Sequence, residues 1–153
     1  MTPPFLQLAD QAAYRRHYER TLCRGGIFTH DGIQVFFRKQ EFDHAFFESS
    51  GRRGENDVFS IERARRMDWI APALANPDAK CLQGWLKKEQ RHDPRRRVTV
   101  FIDGFLVVIA LRLGGQGQLR AQFVTCYPAD VKTQAKLAQA PLWTLEDCLN
   151  ELQ

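Results

Sequence analysis

The stretch RRRVTVFIDGFLVVIALRL, residues Arg95 to Leu113, decides the fold. It contains two runs rich in β-branched and aromatic residues, joined by Asp103 and Gly104. Asp-Gly between two such runs is a strong signal for a β-hairpin with a two-residue turn, because both turn residues must adopt positive φ. The stretch therefore predicts a tight antiparallel hairpin.

Further β-rich segments flank this hairpin. On the C-terminal side, LRAQFVTCYPAD from Leu119 to Asp130 follows the flexible turn GGQGQ, and Pro128 ends its β-pattern. On the N-terminal side, KCLQGWLKKEQ from Lys80 to Gln90 has a weaker pattern that fits a short strand. Together these runs predict an antiparallel meander of three or four strands.

The first third of the chain differs in pattern. Asp10 to Cys23 reads as an amphipathic helix that Gly25 and Gly26 stop. The stretch GIFTHDGIQVFF, residues 26–37, alternates apolar and polar residues around Asp31–Gly32, which fits either a hairpin or a single bent strand.

Two helices are predicted next. The first covers Glu41 to Ser50, and GRRGEND, residues 51–57, is predicted as a loop. Ser60 is placed to cap the second helix, which ends at Asn76–Pro77. The apolar positions of this second helix follow a 3.6-residue period and comprise Ile61, Ala64, Met67, Ala71 and Leu74.

Helices followed by a meander predict the α+β class, with N-terminal helices packed on a three- to four-stranded antiparallel sheet. The 153 residues suit a single domain. Within it we expect an N-terminal helical arm (1–26), a core (27–130) and a C-terminal helical tail (131–153). Thr144 is expected to cap the helix LEDCLNELQ in the tail.

The charge pattern favours a phosphate-bearing partner. The chain has 22 basic and 18 acidic residues, a net charge of +4 and a pI near 9.0. The bases cluster, and clustered guanidinium groups suit phosphate oxygens, although two solvated faces would explain the same pattern. The two clusters comprise Arg52, Arg53, Arg63, Arg65 and Arg66, and Lys87, Lys88, Arg91, Arg95, Arg96 and Arg97.

The remaining composition argues against several classes of protein. The four cysteines are isolated, without CxxC or finger spacing, which disfavours a zinc site and fits free thiols in a reducing cytoplasm. No signal-peptide pattern and no apolar run of about 18 residues occurs. Walker, GxGxxG, HExxH, GxSxG and paired-carboxylate motifs are absent, so we expect no metal and no cofactor.

His44 is the first candidate for chemistry. In the predicted helix, Glu48 lies four residues on and could orient the imidazole as a general acid or base. A surface or boundary histidine with no catalytic role fits the same pattern. His17, His30 and His92 lie in less organised contexts.

Two further groups could bind or act on a phosphate. Arg63 and Arg66 are one helical turn apart, and Arg66 with Trp69 could hold a nucleotide, unless the arginines are solvated and the tryptophan is in the core. Thr125 and Tyr127 are two apart near a strand end, with Phe123 at the same parity. They could donate hydrogen bonds to a phosphate, or simply be a solvent face.

The order of FDHAFFES, FSIERARRMDWI and a meander ending in FVTCYP resembles the phage-associated branch of the barnase, EndoU, colicin D and RelE-like nucleases, abbreviated PBECR. The similarity covers about Phe36 to Asp130. It implies helices packed on a four-stranded antiparallel sheet, and metal-independent RNA cleavage in which the 2′-hydroxyl attacks the phosphate and leaves a 2′,3′-cyclic phosphate.

The resemblance also implies roles for individual residues. His44 would be the general acid or base, and Arg63 or Arg66 would clamp the phosphate. Thr125 and Tyr127 would be donors on the strand, and Lys39 is a weaker candidate for a second cation. No second histidine is clearly positioned, so Tyr127 or Glu48 would complete the acid–base pair.

Two functions stay open from the sequence. One is a toxin- or effector-type endoribonuclease in the cytoplasm, with RNA as substrate, a cognate inhibitor protein as a second partner, and no membrane association. The other is a non-catalytic module of the same fold, such as a phage accessory protein, that binds nucleic acid or protein through its basic surface.

Overall fold

A computed structural model describes residues 2–51 and 56–152. Within these residues the helices are α1 (Gln11–Thr21), α2 (Phe42–Ala45), α3 (Ile61–Ala64), α4 (Ile70–Ala75), α5 (Val131–Ala138) and α6 (Leu145–Glu151). The strands are β1 (Gln34–Phe36), β2 (Phe47–Ser49), β3 (Asn56–Phe59), β4 (Lys80–Leu86), β5 (Arg91–Ile102), β6 (Phe105–Leu113) and β7 (Leu119–Pro128).

Strands β4 to β7 pair antiparallel in chain order. The β5–β6 turn is the predicted one: Asp103 and Gly104 have φ of 53° and 76°, and Ile102 pairs with Phe105. Positive φ at both positions is the type I′ geometry that matches the twist of the flanking strands. The Asp-Gly signal is therefore confirmed.

The complete sheet is mixed, because β1 adds to β7 in parallel and gives the order β1-β7-β6-β5-β4. The hairpin expected around Asp31–Gly32 is reduced to one antiparallel bridge between Phe28 and Gln34, after which the chain turns to β7. The α+β class is confirmed, whereas a purely antiparallel sheet is not.

The helix predicted over Glu41–Ser50 is wrong in its second half. α2 ends at Ala45, and β2 then pairs antiparallel with β3, with Phe47 opposite Phe59. Aromatic residues are as well suited to a half-buried strand as to a helix, and the distant partner strand decides between the two. Arg52 and Arg53, the two arginines of the predicted loop, lie outside the described residues.

The second predicted helix is interrupted. Ser60 caps α3 as expected, since its hydroxyl accepts from the Arg63 N–H at 3.2 Å. A 3₁₀ turn at Met67–Trp69 then separates α3 from α4. Pro72 has no N–H to bond to a preceding carbonyl, so it fits the first turn of a new helix and not the interior of a long one.

The core lies between the helices and one face of the sheet. Asp10 caps α1, since its carboxylate accepts from the Ala13 N–H at 2.9 Å, and the helix buries Tyr14 and Tyr18 in the core. Rings from several elements stack together there, with Phe37 and Phe123 centred 4.9 Å apart. Their neighbours include Phe42 and Phe46.

The C-terminal segment crosses to the free edge of β4. Gln83 N–H donates to the Pro141 carbonyl at 2.8 Å, and Trp143 N–H donates to the Cys81 carbonyl at 2.7 Å. Thr144 caps α6 as predicted, by accepting from the Asp147 N–H at 3.1 Å. Among the described residues, none of the helices has the length and apolar character that a membrane span requires.

Candidate functional site

Thr125 and Tyr127 lie on the sheet face away from the core. Thr125 pairs with Val108, whereas Phe123 pairs with the next residue, Ile109, because the register shifts between them. Paired residues point to the same face, so this bulge turns Phe123 into the core and leaves Thr125 opposite. The equal parity expected for Phe123 and Thr125 is therefore wrong.

Helices replace a neighbouring strand along this part of β7. β1 pairs only with Arg120 to Gln122, so the edge that carries Thr125 and Tyr127 is not covered by β1. α2 and α3 pack against β7. A side chain from either helix can consequently reach the two hydroxyl groups around the edge of the sheet.

Arg63 makes this connection from α3. Its Nη1 donates to the Ala45 carbonyl at 3.2 Å and to Oγ1 of Thr125 at 3.4 Å. Its guanidinium carbon lies 5.0 Å from the centre of the Tyr127 ring. These contacts hold a partly buried cation against Thr125, Tyr127 and the end of α2.

The same guanidinium has no counter-ion among the described residues. Arg63 forms no salt bridge there, and its buried Nε has no hydrogen-bond partner. A buried cationic donor without a carboxylate is unfavourable unless another anion completes the site. The Arg63 guanidinium thus keeps a buried Nε–H without a hydrogen-bond partner among the described residues.

His44 directly precedes the residue whose carbonyl Arg63 binds. It is an exposed residue of α2, and the residue that follows it, Ala45, supplies the carbonyl that Arg63 binds. Glu48 does not occupy the helical position expected for it, because it lies in β2 opposite Val58. The predicted helical His44–Glu48 pair is therefore wrong.

Arg66 and Trp69 lie in a different environment. Arg66 donates to Glu62 Oε2 at 3.1 Å, so its charge is already paired. The Trp69 ring stacks on Phe5 at 5.4 Å, and its Nε1 donates to the Pro3 carbonyl at 2.7 Å. The N-terminal segment thus occupies the stacking surface that was expected to hold a nucleotide.

Lys39 is exposed in the 3₁₀ turn Lys39–Glu41, which packs near β7. Its side chain forms no hydrogen bond or salt bridge with the other described residues. Of the eight predicted residues, Arg63, Thr125 and Tyr127 form one group in direct contact, and Arg66 lies over the Trp69 ring at 5.2 Å in another.

Thr125 and Tyr127 also line a cleft of about 700 Å³ on the open face of the sheet. α5 forms its opposite wall. Most of the other side chains that line the cleft are cationic, aromatic or polar, and the sequence did not assign them to a site. The most notable are Trp85, His92, Arg97 and Lys136. No described carboxylate lines the cleft.

An irregularity in β5 shapes one end of the cleft. Gly84 pairs with Asp93 and Gln83 with Val98, so residues 94–97 bulge without a partner on β4. A Cβ on Gly84 would lie 2.3 Å from the Arg97 Cβ, so only glycine permits this approach. The sequence placed His92 at the end of a charged loop and Arg97 in a β-rich run, and only the pairing with β4 brings the two residues to the cleft.

Asp93 anchors this bulge. Its carboxylate is fully buried, accepts from the Arg95 N–H at 2.7 Å and from the Arg95 side chain, and pairs with Arg91 at 2.9 Å. Burial opposes its ionisation, but the hydrogen bonds and charges of the arginines outweigh that effect and lower the Asp93 pKa to about 2. Trp143 adds a hydrogen bond from Nε1 to the Pro94 carbonyl at 2.8 Å.

Burial also tunes the phenol of Tyr127. Desolvation raises the pKa of Tyr127, the nearby Arg63 charge opposes the rise, and Asp130 adds to it. The hydroxyl therefore keeps its proton at neutral pH and can act as a donor. In the part of the chain that the structure describes, no group of three or more His, Cys, Asp or Glu side chains converges in a way that could hold a metal ion.

Comparison of the chain with protein-family models, with curated proteins and with solved structures gave no match. The interpretation of this site consequently depends on its own chemistry.

Proposed function

We propose that the protein is a metal-independent endoribonuclease that cleaves RNA by attack of the 2′-hydroxyl on the adjacent phosphate. The observation that carries the proposal is the Arg63 guanidinium, which is partly buried, lacks a described counter-ion and contacts both Thr125 and Tyr127. The proposal includes a nuclease core of the RelE or barnase type, formed by the helices and the antiparallel strands β4 to β7.

Arg63 would hold the scissile phosphate. A guanidinium binds phosphate oxygens through parallel N–H donors, and its effect grows where water is excluded. As the 2′-oxygen adds to phosphorus, negative charge increases on the non-bridging oxygens, and a cation already in position stabilises that charge. The Thr125 hydroxyl, 3.4 Å from Arg63, would add a neutral donor to the same oxygens.

His44 and Tyr127 would transfer the protons. His44 would accept the proton of the attacking 2′-hydroxyl, and Tyr127 would donate its phenolic proton to the 5′-oxygen as the bond from phosphorus to that oxygen breaks. The products would be a 2′,3′-cyclic phosphate and a 5′-hydroxyl. Desolvation raises the pKa of Tyr127, so the phenol is protonated at neutral pH as an acid must be, while the same rise makes it a weaker proton donor.

The other predicted residues contribute less to the proposal. Arg66 and Trp69 are engaged by Glu62 and Phe5 and have no part in it. Lys39 is kept as an outer cation that could attract RNA. Glu48 has no assigned step, since it does not share a helix with His44.

Incubation of the purified protein with a fluorescent single-stranded RNA in excess EDTA tests the proposal. We expect cleavage that leaves a cyclic phosphate end, and a loss of about 10²- to 10³-fold in rate for Arg63→Gln. Tyr127→Phe and His44→Ala should also lower the rate. Arg24→Gln is the matched control, because Arg24 is exposed and forms no salt bridge among the described residues.

Thermal unfolding of each variant separates lost chemistry from lost structure. Intact RNA after incubation with folded wild-type protein would refute the proposal, as would equal rates for Arg63→Gln and Arg24→Gln. Cleavage that needs a divalent cation would refute the metal-independent mechanism.

A second function is favoured by the cleft itself. A cleft without described carboxylates attracts polyanions whether or not a bond is cleaved. RNA that binds with a steep salt dependence and stays intact would indicate the non-catalytic binding module. As a toxin or effector in the cytoplasm, the nuclease would need a cognate inhibitor, and an acidic protein surface would suit the same cleft.

A further inference from the structure

We propose that the far end of the cleft is a subsite for single-stranded nucleotides, in which a base stacks on Trp85 and the sugar–phosphate chain lies against Arg97 and Lys136. The subsite extends the proposed nuclease site and rests on that function for its alignment with Thr125 and Tyr127. Binding at Trp85 can nevertheless be measured without any cleavage.

The register makes a continuous floor across β7, β6 and β5. Thr125 pairs with Val108, and Val108 pairs with Thr99, so one row crosses β7, β6 and β5 on the cleft face. Tyr127 begins a parallel row through Leu106. With strands about 4.8 Å apart, β4 lies about 14 Å from β7, so a bound chain would cross the sheet from Tyr127 toward the hairpin of β4 and β5.

Trp85 supplies a stacking surface at the end of this floor. It is 48% exposed, which is high for the largest apolar side chain, and it lines the cleft. His92 lies directly opposite on β5 and contacts its ring at 5.1 Å with a 70° angle. A T-shaped contact holds the indole in place and occupies at most one of its faces, so the other can accept a base.

Cations stand on both walls at this end. Arg97 projects from the β5 bulge and Lys136 from α5, and neither forms a salt bridge with another described residue. Gln83 and Thr99 add neutral hydrogen-bonding groups. Aromatic stacking beside unpaired cations is the chemistry that binds single-stranded nucleic acid, whereas a duplex hides the faces of its bases.

Titration with a 2′-O-methyl uridine hexamer tests the subsite, because this probe is single-stranded and lacks the attacking hydroxyl. We expect saturable binding that changes tryptophan fluorescence, with the change absent in Trp85→Phe. Trp69 and Trp143 remain as a constant background, since one packs on Phe5 and the other is buried.

Substitutions at Trp85, Arg97 and Lys136 should change hexamer binding by amounts that can be measured. Trp85→Ala should raise the Kd for the hexamer by about 5- to 150-fold, and Trp85→Phe should raise it by much less because an aromatic ring remains. Phe28→Ala is the matched control, since Phe28 is an aromatic of similar exposure outside the cleft. Arg97→Gln and Lys136→Gln should each make the negative slope of log binding constant against log salt concentration shallower by about 0.7.

The outcomes separate the two proposals. Unchanged affinity in folded Trp85→Ala, or equal competition by a blunt RNA duplex, would overturn the subsite even if the enzyme cleaves RNA. Binding of the hexamer that depends on Trp85, without cleavage of unmodified RNA, would support the subsite and refute the nuclease. Failure of the hexamer to saturate at low salt would also overturn the subsite.

Discussion

Replacement of Asp93 by asparagine should destabilise the protein in a pH-dependent way. Asp93 is fully buried and accepts hydrogen bonds from Arg95, with Arg91 also paired to it. Asparagine has nearly the same shape but no charge, and its amide would turn a donor toward one of these donors. The substitution therefore removes the electrostatic contribution of Asp93 with little change in volume.

The pKa of Asp93 gives the magnitude. Burial disfavours the carboxylate, and the stronger effect of the arginines lowers the pKa from 3.8 to about 2. Each pKa unit corresponds to about 1.4 kcal/mol, so ionisation of Asp93 stabilises the fold by about 2 kcal/mol at neutral pH. Since the pKa is lower in the folded protein, this stability is present above about pH 4 and is lost as the pH falls toward 2.

Urea unfolding of wild type and Asp93→Asn from pH 7 to pH 2.5 measures this contribution. We expect the variant to be less stable by about 2 kcal/mol at pH 7, and the difference to shrink below about pH 4. Asp78→Asn is the control, because Asp78 is exposed and forms no salt bridge among the described residues. A difference that stays constant over the whole pH range would refute the electrostatic reasoning.

Three further substitutions test the packing around the site. Gly84→Ala should lower stability in thermal unfolding by about 1–3 kcal/mol, because its Cβ would lie 2.3 Å from that of Arg97; an unchanged midpoint would show that β5 moves aside. Ser60→Ala should lower the free energy of unfolding in urea by about 1 kcal/mol, because it removes the hydrogen bond to the Arg63 N–H; an unchanged free energy would argue against the cap. Phe123→Ala should lose about 3–5 kcal/mol in the same assay, and a loss below 1 kcal/mol would contradict its full burial.

Local rules predicted the parts of the fold that depend on a few neighbouring residues. The Asp103–Gly104 turn and the caps at Ser60 and Thr144 formed as expected. In each case the deciding contact joins residues at most three positions apart. The family resemblance left Arg63 and Arg66 as alternative partners for Thr125 and Tyr127, and Arg63 is the one that contacts them.

Long-range pairing decided what the local patterns left ambiguous. Phe47 to Ser49 fits a helix by spacing, yet its pairing with β3 makes it a strand and separates Glu48 from His44. A single bulge in β7 reversed the face expected for Phe123. Phe5, more than sixty residues before Trp69 in the chain, covers the indole that was expected to bind a nucleotide.

By itself, the amino-acid sequence determined the class of the fold, the Asp103–Gly104 turn, the caps at Ser60 and Thr144 and a set of candidate site residues. Only the tertiary structure decided which of those residues meet. Arg63 reaches Thr125 because β1 leaves the end of β7 uncovered, and Trp85 meets His92 because β4 pairs beside the bulge in β5. The physical reason is that turn and cap preferences act over three or four residues, whereas the register of a sheet depends on segments far apart in the chain.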